Sequence, residues 1–272
     1  MAVKGRDIGL RAASAVVLAP AAVLATWAGG PWFLALLIGA SGLLATEWAM
    51  MSAPGAWRAT GAAVFLALLA AIATAYVEQL SLALVLLVFG AAVAALYARA
   101  RGQEGLDAAY GVLYLGWPAV LVIWLRDGHS PEGLNWTVFA LSVTWAADIA
   151  AYLFGSLIGG PKLWPRFSPN KTWSGFAGGL LAGVVAGAVI AGWLDMGRLT
   201  VPWGALLGLA GALATMAGDL WESALKRRFG VKDAGKLIPG HGGLLDRVDG
   251  LMFAIVVVAA GHLGVLMLDG GG

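Results

Sequence analysis

The chain has no cysteine and few charges. Its 272 residues hold 17 Lys and Arg, 15 Asp and Glu, and three His. Without thiols, disulfides and thiolate metal sites are excluded, and little follows about compartment. A soluble domain carries about a quarter charged residues; this chain has 12%, against 60% hydrophobic. That deficit excludes an ordinary water-soluble core. A formal net charge of +2 is too small to argue for nucleic acid as a partner. No repeat of fixed period and no inverted pair of halves is visible, so the signature of many transporters is missing too.

What the chain does have is a series of long apolar runs. They indicate an all-α polytopic integral membrane protein of about nine transmembrane helices. The spans read as 12–28, 31–50, 59–77, 80–98, 107–125, 134–158, 174–194, 201–222 and 250–268. Each approaches or exceeds the roughly 20 residues needed to cross a bilayer. Lys4, Arg6 and Arg11 before the first run would also suit a signal peptide. The further spans, and the lack of a clean small-residue cleavage site, favour a membrane span. With the N-terminus in the cytoplasm, only Arg126 and Arg198 of the 17 basic residues fall outside. Losing or adding one span would scramble that positive-inside bias. Glycine and alanine fill the spans, as in GGLLAGVVAG at 178–187, and imply close helix packing.

Two inside loops concentrate the polar residues, 159–173 and 223–249. The second holds Lys226, Arg227, Arg228, Lys232, Asp233, Lys236, Asp246, Arg247 and Asp249. So dense a mixed-sign segment between membrane spans needs water, metal or a charged ligand. Just before it, Asp219, Glu222, Ser223 and Lys226 fall at i, i+3, i+4 and i+7, one face of a helix. A continuous helix from 201 to 227 would be roughly 40 Å long and would emerge from the bilayer near Asp219. Glu222 and Lys226 suit an intrahelical pair. Asp219 has no helical neighbour of opposite sign, which suits metal or phosphate chemistry.

Asp246 and Asp249 flank Arg247 ahead of the last span. As helix-start charges they complement the macrodipole; with Asp219 they are hard oxygen ligands suited to Mg²⁺ or Mn²⁺, with a second cation as an option. Gly240, Gly242 and Gly243 around His241 form either a plain turn or a place where backbone N–H groups approach an anion. The basic residues either clamp phosphates or mark topology and attract anionic lipid; the latter is preferred for Arg228 and Lys236. In the other loop, Ser168, Pro169, Asn170, Lys171 and Thr172 lead into a helix start that suits a phosphate. Asp148 and Glu47 lie within spans. Each is either functional or a hydrogen-bonded structural acid, and neither is assigned a role.

The run Ser223, Leu225, Lys226, Arg227, Lys232, Asp233, Gly235, Ile238, Pro239, His241, Gly242, Gly243, Leu244, Asp246, Arg247, Val248, Asp249 resembles the signature of the phosphatidate cytidylyltransferases, or CDP-diacylglycerol synthases. The loop Ser168-Pro169-Asn170-Lys171-Thr172-Trp173 is similar to a second stretch of that family, with Ser174 where a Glu is common. By motif the resemblance covers the C-terminal half.

The resemblance implies that CTP and phosphatidic acid give CDP-diacylglycerol and pyrophosphate with Mg²⁺. On that basis Asp219, Lys226, Arg227, Lys232, Asp233, Asp246 and Arg247 are the expected catalytic set. Asp219, Asp246 and Asp249 are the expected metal ligands, and Lys171, Ser168, Ser223, His241, Gly242 and Gly243 the expected substrate-binding residues. The apolar runs read as a single membrane domain over 1–272, with spans 1–5 in 1–133 and spans 6–9, the expected catalytic part, in 134–272. The expected partners are CTP, phosphatidic acid, membrane lipid and a second copy in a homodimer, with no nucleic acid. The expected place is a bacterial-type inner membrane with the site facing the cytoplasm. The rival readings are a cytidylyltransferase for another lipid phosphate, a transporter, and a membrane scaffold. Turnover is expected to require a divalent ion: lipid-extractable label from CTP should vanish in excess EDTA and return with Mg²⁺. Full turnover in EDTA would argue against metal.

Overall fold

The structure is a computed structural model that describes residues 20–126, 131–166, 168–235 and 242–270. Among the described residues, eight helices are long and apolar enough to cross a membrane. Residues 20–28 are helical and form the described part of the first expected span (α1); the rest of that span, 12–19, lies outside the described residues. The others are α2 (Gly30–Ser52), α3 (Trp57–Tyr76), α4 (Leu80–Ala100), α5 (Gly105–Arg126), α6 (Pro131–Leu157), α7 (Trp173–Trp193), α8 (Val201–Arg228) and α9 (Leu245–Gly270). α2 to α7 agree with the apolar runs to within three residues; α8 runs six residues past the expected 222, and α9 begins five before the expected 250. The protein is an all-α polytopic membrane protein. In hydrocarbon a helix satisfies its own backbone hydrogen bonds, so long apolar runs have little alternative.

One feature departs from the apolar pattern. The loop before α7 contains a short antiparallel hairpin, β1 (Lys162–Trp164) and β2 (Ser168–Thr172). It pairs Lys162 with Thr172 and Trp164 with Ser168, with an irregularity between. Gly159 and Gly160 lead into it with φ of 64° and 104°, a left-handed backbone that favours glycine.

Contacts divide the chain into two compact units. The first comprises Met1–Trp124 and Arg228–Arg247, the second Leu125–Arg227 and Val248–Gly272. In the first unit, Trp48 of α2 is fully buried. Its indole N–H donates to the Asp107 carbonyl at 2.9 Å. Its ring packs against Tyr110, Tyr114 and Phe229 with centroids 5.5–5.7 Å away, a spacing favoured by aromatic quadrupoles. A side chain at Gly111 would collide with that indole. Arg228 meets the Asp107 carboxylate at 2.5 Å, so it anchors the loop to the start of α5. That is more than the topology signal expected of it.

In the second unit, glycines set the helix spacing. Gly183 and Gly187 of α7 press on Gly208, Ala212 and Gly204 of α8, so closely that an added methyl at either would strike backbone or side-chain atoms. Membrane helices associate through such small-residue contacts because lipid offers no hydrophobic drive between them. α8 has 28 residues, roughly 42 Å at 1.5 Å per residue, beyond the ~30 Å of hydrocarbon. That excess length leaves room for its charged C-terminal turns, Asp219 to Arg228, to stand outside the apolar layer. Gly187→Val should cost about 1–3 kcal/mol through overpacking, seen as a lower unfolding temperature in detergent. Gly39→Ala, where nothing lies within 4 Å, should be neutral or slightly stabilising in the same measurement; equal behaviour of the two would refute the packing account.

Candidate active site

The second unit assembles its site from α6, the hairpin, α7, α8 and α9. Thr172 caps α7: Gly175 N–H donates to its hydroxyl at 3.2 Å, and the Thr172 φ and ψ of −122° and 157° suit an N-cap. The Ser174 hydroxyl lies 3.0 Å from that of Thr172 and donates to the Gly159 carbonyl at 2.5 Å. Ser174 thus ties both ends of the hairpin together, a role suited to a small hydroxyl. The cap fixes β2, and β2 delivers Lys171, whose ammonium pairs with the Asp219 carboxylate of α8.

Around that pair lie more acids. Gly218 packs directly on the Asp249 backbone carbonyl, which brings α8 and α9 together beside Asp219. Asp249 is 9% exposed and lies within electrostatic reach of Asp219, Glu222 and Lys171. Asp148 of α6 lies within reach of Asp219 and Lys171. Glu222, 1% exposed, pairs with Lys226 at 2.5 Å across one helical turn, as the i,i+4 spacing implied. The cluster therefore sets four carboxyl groups, Asp148, Asp219, Glu222 and Asp249, against two ammonium groups, Lys171 and Lys226.

Among the described residues no three acidic or imidazole groups stand close enough to cage an ion. Mg²⁺ rarely uses such a cage; it binds one or two carboxylates and completes its shell with water and substrate phosphates. Asp219 and Asp249, carboxyl oxygen donors within electrostatic reach of each other, fit that mode. Ser168 opens β2, and Ser223 and Arg227 lie on the last turns of α8.

The first unit holds the signature loop. Asp246, expected among the metal ligands, uses its Oδ2 to accept N–H bonds from Gly243 at 2.8 Å and Ala234 at 3.1 Å. It thereby joins the two sides of the loop. Gly243, expected to offer its N–H to an anion, gives it to Asp246. Gly242 has φ of 83°, a turn conformation that favours glycine. Lys232, Asp233 and Arg247 are exposed. His241, with Lys236, Ile238 and Pro239, lies outside the described residues.

A residue left without a role by the sequence is central here. Glu47 of α2 is 0% exposed and accepts N–H bonds from Leu244 and Leu245 at 2.8 Å each. The available signal was its position: a lone acid near the end of an apolar span. The three pairings Glu47 with 244–245, Arg228 with Asp107, and Lys171 with Asp219 each join ends that the charge count puts on one side.

A family model described as "Cytidylyltransferase family" matches residues 9–263. The chain belongs to the cytidylyltransferase family. A phosphatidate cytidylyltransferase of Brucella suis biovar 1 is 39% identical over 257 residues, 93% of this chain and 92% of the relative. One from Brucella abortus (strain 2308) matches to the same extent. A phosphatidate cytidylyltransferase of Staphylococcus saprophyticus is 41% identical over 153 residues, 55% of this chain and 57% of the relative. For a member of this family, Asp219→Asn should abolish cytidylyl transfer while the protein still inserts and folds. Lys171→Met should slow it by about 10²-fold, as loss of one positioned donor does. Near-normal turnover of purified, folded Asp219→Asn would refute the assignment.

Proposed function

We propose that this protein transfers a cytidylyl group from CTP to phosphatidic acid, giving CDP-diacylglycerol and pyrophosphate. The observation that carries this reading is the cluster of Asp219, Asp249, Lys171 and Lys226 at the C-terminal end of α8, in a chain of the cytidylyltransferase family. The names of its full-length relatives supply the lipid. The place of the cluster supplies a reason for it. CTP comes from water and the lipid phosphate from the leaflet, so the reaction needs a site at the rim of the apolar layer.

A phosphatidate oxygen attacks the α-phosphorus of CTP. The bond from that phosphorus to the bridging oxygen of the β-phosphate breaks, and pyrophosphate leaves with the electron pair. No general base is required, because the lipid phosphate is already ionised near pH 7. The protein's task is to hold two anions in line and to answer their charge. Lys171 and Lys226 each sit in an ion pair, so their ammonium groups are held in fixed positions by Asp219 and Glu222. Arg227, exposed on the last turn of α8, meets phosphate oxygens from the water side, and in the first unit Lys232 and Arg247 are exposed cations of the signature loop. Mg²⁺ or Mn²⁺ held by Asp219 and Asp249 would neutralise charge on the phosphates.

The orientation proposed is the one the basic residues favour, with this end of α8 in the cytoplasm of a cell with a bacterial-type inner membrane. The test is direct. Purified protein, labelled CTP and vesicles containing phosphatidic acid should yield lipid-extractable label and stoichiometric pyrophosphate. Vesicles carrying other lipid phosphates should compete weakly. Label entering only with a different lipid phosphate would transfer the activity to that substrate, and no lipid label at all would overturn the reading.

A further inference from the structure

The structure carries a buried acid that no step above uses. Glu47 stands near the end of an apolar helix, fully buried, with both carboxylate oxygens engaged by backbone N–H groups. Oε1 accepts from Leu244 and Oε2 from Leu245. Those are the residue before α9 and its first residue. Helices begin with N–H groups that have no partner in their own backbone, and a nearby side chain on the same segment commonly answers them. Here the answer comes from another helix, 197 and 198 positions away in the chain.

The same carboxylate is packed into the loop. A methyl built on Gly235 would come 2.7–2.9 Å from the Glu47 carboxylate, and one on Gly243 would come 2.8 Å from Oε2. The two glycines therefore sit where they do because Glu47 occupies the space. Gly235 and Gly243 belong to the two strands of loop that Asp246 also bridges, through Ala234 and Gly243. Glu47 thus touches both sides of the loop and the start of the helix that carries Asp246. An apolar residue would fill the site without the desolvation that a carboxylate demands. What the carboxylate adds is a fixed position for the loop.

We infer that Glu47 is a positioning residue for nucleotidyl transfer. It caps α9 from α2, holds the loop 231–235 against 242–245, and so fixes the carboxylate of Asp246. It touches no substrate. The inference rests on the cytidylyl-transfer reading for its readout, and on geometry alone for the clamp.

Two variants and two measurements test it. Glu47→Gln keeps the volume but supplies one acceptor oxygen where two N–H groups point. Gly235→Ala adds the methyl that meets the carboxylate. Each should lower kcat by about 10²-fold, the scale of a small misplacement, with KM for CTP little changed. In hydrogen exchange, the peptide over 242–249 should exchange faster while α3 and α4 stay as in the unchanged protein. A purely structural acid would instead loosen the helices together and leave kcat per folded molecule intact. Because both variants act on one contact, the double variant should be no slower than the slower single. Losses that multiply, wild-type kcat in either folded variant, or faster exchange spread over α3 and α4 would overturn the inference. If Glu47→Gln fails to fold, Gly235→Ala decides by the same criteria. If the unchanged protein transfers no label, the activity reading fails by itself, and the exchange at 242–249 still tests the clamp.

Discussion

A carboxylate at the edge of a bilayer persists only where something answers its charge, and this protein is built around supplying those answers. Unpaired, such a group costs several kcal/mol. In the first unit Asp107 is answered by Arg228, and Glu47 and Asp246 by backbone N–H groups. In the second, Asp219 is answered by Lys171 and Glu222 by Lys226. Asp148 and Asp249 lie beside Asp219 as further carboxyl oxygens. The compensated acids hold elements together. The remaining carboxyl oxygens near the end of α8 are hard donors of the kind a divalent cation takes.

The rest of the architecture serves those pairings. Gly218 lets α9 approach until the backbone carbonyl of Asp249 lies against α8, and Gly183 and Gly187 bring α7 equally close. Close packing is what holds α6 to α9 firmly enough for side chains near their ends to keep fixed separations, since lipid itself provides no drive between helices. The hairpin does the same for Lys171. A free loop would let the ammonium wander, whereas a strand pinned by the Thr172 cap and the Ser174 bond to Gly159 aims it at Asp219.

Local patterns were legible in the residues, and distant pairings were not. The apolar runs gave the eight described spans because backbone in hydrocarbon has only the helix to turn to. The pair Glu222–Lys226 followed from a spacing of four. Val201 to Arg228 read as one helix because nothing in between breaks it. The hairpin at 162–172 was hidden by Pro161, Pro165 and Pro169, residues that argue against strands. Arg228 looked like a topology charge because Asp107 lies 121 positions away. Glu47 was ambiguous for the same reason: its partners are backbone groups, and a backbone group leaves no mark in a sequence. The family signature marked the loop as important without saying which of its glycines face substrate and which make room for an acid.

That last distinction changes how the loop must meet an anion. A helix start beside several glycines is ordinarily a place for phosphate, since its N–H groups are unpaired and the dipole adds positive charge. At the start of α9 those donors are already used. Leu244 and Leu245 give theirs to Glu47, and Gly243 and Ala234 give theirs to Asp246. With those donors spent, the start of α9 no longer offers free backbone N–H groups of the kind that usually receive a phosphate. An anion approaching this loop would therefore be received by side-chain cations. The density of Lys and Arg in the segment then has a physical reason beyond topology: the backbone donors are spent on fixing the loop, and long basic side chains are the groups left that reach an anion.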